Sequence, residues 1–352
     1  MYTKKGTEMS ERGKVVAILS YEAWRHPRAI KIARTLAKHG YKIKMWGARK
    51  PIHRGPRIIK ALFNYIFTII EVALLKADFY WVENVPDIIY IPLPILGRKY
   101  VYDRRSPWAK QVQLELGLKI ANKLIEVIER FMIKHAQHIV VVSTSMKAEF
   151  NYQHPVTILP NYTEKSFIRP PTKDIRAELG IPATRKIFIY VGKLSKIEGT
   201  DLLIPIAKAI VGLNAELWIV GDGPARSIAE KLAKKFSNNV KWFGWVERAK
   251  IPDYILAADY GIVPRHKTPF SIFYSYEGVH KIGEYFAYGK PVIASGIAPS
   301  KYYLVVNPEK LPETIAKVAK GELEPPKLPR NFIWEKQCEH KVIEVIRLLE
   351  NM

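Results

Sequence analysis

The stretch VHKIGEYFAYGKPVIAS, Val279 to Ser295, decides the fold. Its pattern predicts a short helix with Glu284 in the second turn, a stop at Gly289 and a buried strand over 291–294. Glycine just past the last helical residue, with proline close behind, ends a helix and frees the chain to turn into a strand. A helix that starts near 278–280 directs unpaired N–H groups and the positive end of its dipole at whatever lies in front of it. A nucleoside diphosphate suits such a place, and a carboxylate one or two turns on suits ribose hydroxyls. An ordinary helix–strand unit with a surface glutamate gives the same pattern, so the surroundings must decide.

Upstream, apolar β-branched runs alternate with helical patterns. Strands are predicted over 15–20, 42–46, 79–83, 99–103 and 138–143, with helices over 27–39 and 118–136. The first of these helices has Ile30, Ala33, Leu36 and Ala37 on one predicted apolar face and Gly40 as its stop. Such alternation argues for a parallel sheet covered by helices. A linker rich in proline and polar residues follows over 159–171, and a second strand–helix series runs from Lys186 to about Lys320. A Pro-rich segment, 324–330, then precedes a last helix over 333–350. The predicted fold class is α/β: two doubly wound parallel-sheet domains, 1–166 and 167–332, facing a cleft. Ligands of such sheets bind beyond the carboxyl ends of the strands.

Composition narrows the function classes. The chain has 352 residues, 48% hydrophobic and 25% charged, as in soluble globular proteins. One cysteine, Cys338, excludes an intramolecular disulfide and a cysteine-cluster metal site and fits a reducing compartment. The polar N-terminus, MYTKKGTEMSERGK, has no apolar signal core. The apolar stretch 58–75 is interrupted by Lys60, Asn64 and Glu71. It reads as a helix packed on the first sheet, or as a surface helix that dips into lipid, rather than a membrane span. Net charge is +23, and the first 60 residues hold 16 Lys and Arg against 3 acidic residues. That imbalance suits phosphate donors or an anionic membrane surface, or simply a solubilising surface. Nucleic acid is a poor fit, because no zinc pattern or aromatic RNA-binding motif accompanies the charge. The expected location is the cytoplasm, or the inner face of the cell membrane as a peripheral protein.

Four stretches together resemble retaining glycosyltransferases of the GT-B fold, family 4 (glycosyl transferases group 1) and relatives. The opening stretch resembles their donor-site run Lys-x-x-Glu-Tyr-x-x-x-Gly-Lys-Pro-Val, here Lys281, Glu284, Tyr285, Gly289, Lys290, Pro291 and Val292. IFIYVGKLSKIEGTDLLI (187–204), LWIVGDGPAR (217–226) and VKWFGWVERAKIPDYILAADYGIVP (240–264) follow the family order. The resemblance implies donor phosphates near Gly192, Lys193 and Lys196, and a nucleobase near Gly244, Trp245 and Val246. It implies a close backbone approach at Gly221 and Gly223, ribose at Glu284 beside Lys281, and a last helix, 333–352, that crosses back to the first domain. Two positions depart from it. Glu198 stands where a second lysine is usual, so Arg265 or Lys196 has to supply that charge. Tyr276 stands where many relatives carry a glutamate; either a one-residue shift of the loop brings Glu277 to that place at the donor, or the chain is of a subtype that lacks this glutamate.

On the acceptor side, Asp103 ends a predicted strand in VYDRRSPW and is the candidate to orient or deprotonate a hydroxyl; a salt bridge to Arg104 or Arg105 is the alternative. Glu22, Trp24 and His26 follow the first strand and are the other acceptor-side candidates. Asp103, Lys193 and Glu284 form the candidate catalytic set. The chain has no Asp-x-Asp, so no metal or other cofactor is expected and the diphosphate charge falls to lysine, arginine and helix N–H groups. The expected partners are a nucleotide-sugar donor and a glycan or lipid-linked acceptor. A sugar-nucleotide epimerase or a non-catalytic nucleotide-sugar-binding protein of the same fold stands as the alternative.

Overall fold

The computed structural model describes residues 13–24, 26–48, 56–110, 112, 119–149, 151–326 and 332–352. The N-terminal segment to Arg12 and positions 327–330 of the Pro-rich segment fall outside these. Two six-stranded sheets carry the fold, in the orders β2-β1-β3-β4-β5-β6 and β12-β11-β10-β7-β8-β9. The first comprises β1 (Val15–Leu19), β2 (Lys42–Trp46), β3 (Phe79–Glu83), β4 (Tyr100–Arg104), β5 (His138–Val141) and β6 (Val156–Ile158). The second comprises β7 (Lys186–Val191), β8 (Ala215–Val220), β9 (Val240–Trp242), β10 (Tyr260–Pro264), β11 (Val292–Ser295) and β12 (Leu304–Val306). Every strand pair is parallel. Helices cover both faces of such sheets, which is why the central strands bury continuous runs such as FYWVE and AELWIV. Strand β6, three residues long and only half-buried, lacks the apolar run that would have announced it.

Helix α1 (Pro27–Lys38) begins at a proline, whose missing N–H costs nothing at a first helical position. Its buried face is Arg28, Ala29, Lys31, Ile32, Thr35 and Leu36, rotated from the predicted apolar face, and Ala37 is exposed. Two cations are buried there because α1 lines the seam with the linker and the C-terminal segment. Lys31 Nζ donates to Tyr162 O at 2.6 Å and lies 4.6 Å from the Trp334 ring. Trp334 Nε1 donates to Thr35 Oγ1 at 3.0 Å. The last helix therefore returns to the first domain, with a break at Cys338 between Trp334–Gln337 and Glu339–Glu350.

Arg28 is the other buried cation. It donates to both Asp103 oxygens at 2.8 Å, to Leu159 O at 2.7 Å and to Asn161 Oδ1 at 2.9 Å. Trp81 Nε1 also donates to Asp103, at 2.9 Å. Asp103 is fully buried, so it is not the acceptor-side acid or base that the strand-end reading made it. Nor do its neighbours pair with it. Arg104 turns to Glu129 at 2.7 Å and Glu149 at 2.6 Å, and Arg105 turns towards Asn84 and His26. Removing one partner of a buried pair leaves an uncompensated charge, at a cost of about 3–5 kcal/mol. Asp103→Asn is expected to lower unfolding stability by roughly that amount, read by urea denaturation. Lost activity at unchanged stability would return Asp103 to the site.

Candidate functional site

A cavity of about 290 Å³ lies between the carboxyl ends of the two sheets. Both sheets change winding direction at this edge: between β1 and β3 in the first, and between β7 and β10 in the second. Loops diverge at such switch points and leave a crevice. The lining follows from that topology. His26 comes after β1, Lys193 and Glu198 after β7, and Arg265 after β10, while Gly278 to Lys281 bring the start of the next helix.

That helix, His280–Ala287, has no side-chain cap at its N-terminus. Gly289 follows it at φ +65°, as the stop signal required, and β11 begins at Val292. Lys281, in its first turn, is buried. Gly192 makes room for it: a Cβ there would lie 3.0 Å from Lys281 Nζ, on a backbone with φ +145°. Gly221 and Gly223 do different work. A Cβ on Gly221 would meet Gly192 O at 1.9 Å, and one on Gly223 would meet Leu194 O at 2.3 Å. These two glycines let the turn after β8 lie against the loop after β7, and neither lines the cavity.

Glu198 is the acidic residue among the cavity's lining. It pairs with Lys281 Nζ at 2.7 Å and with Arg265. Burial pushes its carboxyl up, but Lys281 and Arg265 outweigh burial and hold it at about 2. Arg265 also lies over the Tyr274 ring at 4.4 Å. The usual lysine is therefore replaced by a carboxylate that gathers two other cations. Lys196 is exposed and outside the lining, so Arg265 rather than Lys196 brings its charge to the cavity.

The opposite wall holds a pair that the strand-end argument passed over. His26 Nδ1 lies 2.7 Å from Glu83 Oε2, and Arg105 Nη1 lies 3.1 Å from His26 Nε2. Glu83 is fully buried. Burial raises its carboxyl, while His26, then Arg105 and Arg28, more than offset this and leave it below the usual range. Arg105 has no lone pair to offer, so His26 Nε2 accepts and Nδ1 carries the proton that faces Glu83. Glu83 ends β3 beside Asp103 in register. The rule that pointed to Asp103 thus pointed one strand too far. His280, across the cavity, is held neutral: burial, then Lys31 and His26, push its pKa well down.

Other expected residues lie elsewhere. Glu284 is buried one turn into the helix and outside the lining; Arg248 donates to it at 2.7 Å. Glu277 is turned to the first domain, where Thr144 N and Oγ1 donate to its two oxygens at 3.0 and 3.1 Å. Bound there, it is not a donor-side ligand. Tyr276 stacks with Tyr162 and packs on Phe286, Tyr303 and Phe332, so of the loop aromatics Phe273 and Tyr274, not Tyr276, face the cavity. Trp245 is 73% exposed and Val246 packs on the core; neither lines the cavity, although Gly244 O accepts from Gly221 N at 2.7 Å beside it. Glu22 and Trp24 are exposed in the turn after β1 and outside the lining.

Residues 185–320 match the family model for glycosyl transferases, group 1. The chain resembles that family, as its motifs implied, and its fold is GT-B. It is 28% identical over 166 residues, 46% of this chain and 44% of the relative, to the lipopolysaccharide core biosynthesis glycosyltransferase LpsD of Rhizobium meliloti. The matched stretches span less than half the length of the curated relatives. Sucrose-phosphate synthase from Thermosynechococcus elongatus superposes with a TM-score of 0.69 at 18% identity, over 97% of this chain and all of that one. Anabaena Alr3699/HepE in complex with UDP-glucose does so with a TM-score of 0.64 at 12% identity, over 96% of this chain and all of that one.

The Glu198 arrangement gives a measurable expectation. Glu198→Gln releases Lys281 and Arg265, so nucleoside diphosphate binding is expected to tighten by about 1–2 kcal/mol in calorimetry. The gain should hold from about pH 5 to pH 9, because a carboxylate held so low stays ionised throughout. Weaker binding would show instead that Glu198 keeps the two cations in place for the anion.

Proposed function

We propose that this chain is a glycosyltransferase that moves a sugar from a nucleotide-sugar to an acceptor hydroxyl, with retention of anomeric configuration as in the enzymes it resembles. The observation that carries the reading is the cavity itself. Lys193, Lys281 and Arg265 converge in it with the uncapped start of the helix His280–Ala287. Cations and oriented N–H groups in a partly enclosed site stabilise the charge that develops on a departing diphosphate. In this reading they do so without a metal. Glu284 takes ribose hydroxyls once the donor displaces Arg248 from it. HepE, which shares the fold, has been crystallised with UDP and with UDP-glucose, which supports a donor of this class.

On the acceptor side, the hydroxyl displaces Arg105 from His26 Nε2. The hydroxyl proton passes to Nε2 as the sugar–phosphate bond breaks and the hydroxyl oxygen bonds to the sugar carbon on the face the diphosphate leaves, so that configuration is retained and the nucleoside diphosphate is released. Glu83 holds the ring in the tautomer that can accept and steadies the imidazolium that forms. The acceptor in this reading is a lipid-linked or membrane-proximal glycan, supported by the basic excess of the first 60 residues.

The primary test is a nucleotide-sugar panel read by thermal stabilisation and by donor turnover, with and without EDTA. A ligand at a hundred times its Kd adds about 2.7 kcal/mol of apparent stability. No stabilisation by any nucleotide-sugar, or stabilisation abolished by EDTA, would overturn the metal-free donor site. Within an active enzyme, His26→Ala is expected to lower kcat by about 10²–10⁴-fold, the usual worth of a general base, with little change in nucleoside diphosphate binding. Loss of nucleotide binding instead would make His26 a donor ligand.

A further inference from the structure

The cavity between the sheets has an apolar side as well as a cationic one: Pro107, Val142, Met146, Phe273 and Val279 line it too. Val142 follows β5, and Met146 sits in the helix Thr144–Glu149. Phe273 comes from the second domain, in the turn Ser271–Phe273. It nevertheless packs with Val142 and Met146 in a core of the first domain. Lys110, outside the lining, lies 4.6 Å from the Phe273 ring. A Cβ on Gly278 would already touch Val142 Cγ1, at 3.5 Å. Side chains packed this closely hold their positions, so this side of the cavity stays apolar.

Groups that could accept from a sugar hydroxyl are already engaged. Glu198 is turned to Lys281 and Arg265. Asn161 Oδ1 accepts from Arg28, and Gly278 O accepts from Asn161 Nδ2. Glu277, the next carboxylate along the loop, accepts from Thr144 in the first domain. That leaves few groups to receive the protons of a fully hydroxylated hexose, Ser106 and the neutral His280 among them. A buried hydroxyl without a partner gives up its bonds to water and gains nothing in return. We infer, on the transferase reading above, that the sugar this chain transfers is a 6-deoxyhexose, with its C6 methyl against Val142, Met146 and Phe273. C6 is the carbon of a hexose whose deoxygenation leaves a methyl group. A methyl packs on such a wall, where a hydroxymethyl strands its oxygen. A 2-acetamido sugar fits less well, because its amide brings an N–H and a carbonyl that both need partners. A uronic acid would set a carboxylate against the same apolar side.

The test compares donors that differ only at C6: GDP-mannose with GDP-6-deoxymannose, UDP-glucose with UDP-6-deoxyglucose, and dTDP-glucose with dTDP-6-deoxyglucose. Affinity is read by calorimetry and turnover by release of the nucleoside diphosphate. On the nucleotide that binds, the 6-deoxy sugar is expected to win by about 10–100-fold in kcat/KM, the range in which an apolar pocket rejects an added hydroxyl. Val142→Thr and Met146→Gln keep the volume of the wall and add a hydrogen-bonding group. Each should shrink the preference by about threefold or more. The ratio between the two sugars is the quantity read; a loss of folded protein lowers both rates and leaves it unchanged. An equal or better rate with the parent hexose, or a preference that neither variant moves, overturns the inference and leaves the transferase reading standing. So does a preference for UDP-N-acetylglucosamine over UDP-6-deoxyglucose. No binding and no turnover of any of these donors overturns the transferase reading as well.

Discussion

One buried guanidinium sets the geometry of the cleft. Arg28 has five N–H donors in a rigid fork, no access to water and no way to lose its charge. Its partners therefore have to be in place: both oxygens of Asp103 at the end of β4, Leu159 O and Asn161 Oδ1 in the linker. Asn161 passes the constraint on. Its Nδ2 donates to Gly278 O at 3.0 Å, and its own N–H donates to Glu277 O at 2.6 Å. Gly278 stands just before the helix whose N-terminus faces the cavity. The start of that helix is thus held against the first domain by a chain of hydrogen bonds that begins at a charge which cannot be left unpaired.

The same seam explains why the cleft is so cationic and still folds. Arg28 and Lys31 from α1, His26 and Arg105 behind it, Lys281 and Arg265 from the other side all crowd one region. Three devices make this tolerable. Glu83 and Glu198 each answer two cations, and Asp103 answers Arg28. Lys31 is pushed down to about 7 by burial and by Arg28, so near neutral pH it carries its charge only part of the time. His280 gives up its charge altogether. What is left is an excess of positive charge that a bound anion would relieve, and the stability withheld by that excess is returned on binding.

Much of the fold was legible because it rests on local rules. Gly289 and Pro291 punctuate the helix–strand unit, and β-branched runs mark the central strands. Lys193, Arg265 and Lys281 were legible too, since each sits on a loop or first turn at the carboxyl edge of its sheet. The wall that carries His26 was not. Glu83 and Asp103 end neighbouring strands, in register, and look alike in sequence. Only tertiary structure says that an arginine 75 positions away takes Asp103 and that a histidine takes Glu83. The helix Arg57–Leu74 packs on the core of the first sheet through a strip around Val72 and leaves its other side exposed, and that exposure was hidden for a related reason. Apolar periodicity shows which side of a helix is greasy, while the neighbour that covers it is a fact of the whole fold.

The pair Tyr276-Glu277 shows how one residue of register can move a function. A glutamate at position 276 would fall among Tyr162, Phe286, Tyr303 and Phe332, where a carboxylate has no partner and desolvation would be severe. Tyrosine fits that site through ring packing. The adjacent glutamate is then free to reach across the seam, and it closes the first turn of the helix Thr144–Glu149 by accepting from Thr144. A carboxylate at a helix N-terminus is favourable by hydrogen bonding and by the dipole alike. The residue that looked like a displaced donor ligand thus became a clamp between domains. The cavity kept a single lining carboxylate, Glu198, on the wall opposite His26, where it faces Lys281 and Arg265.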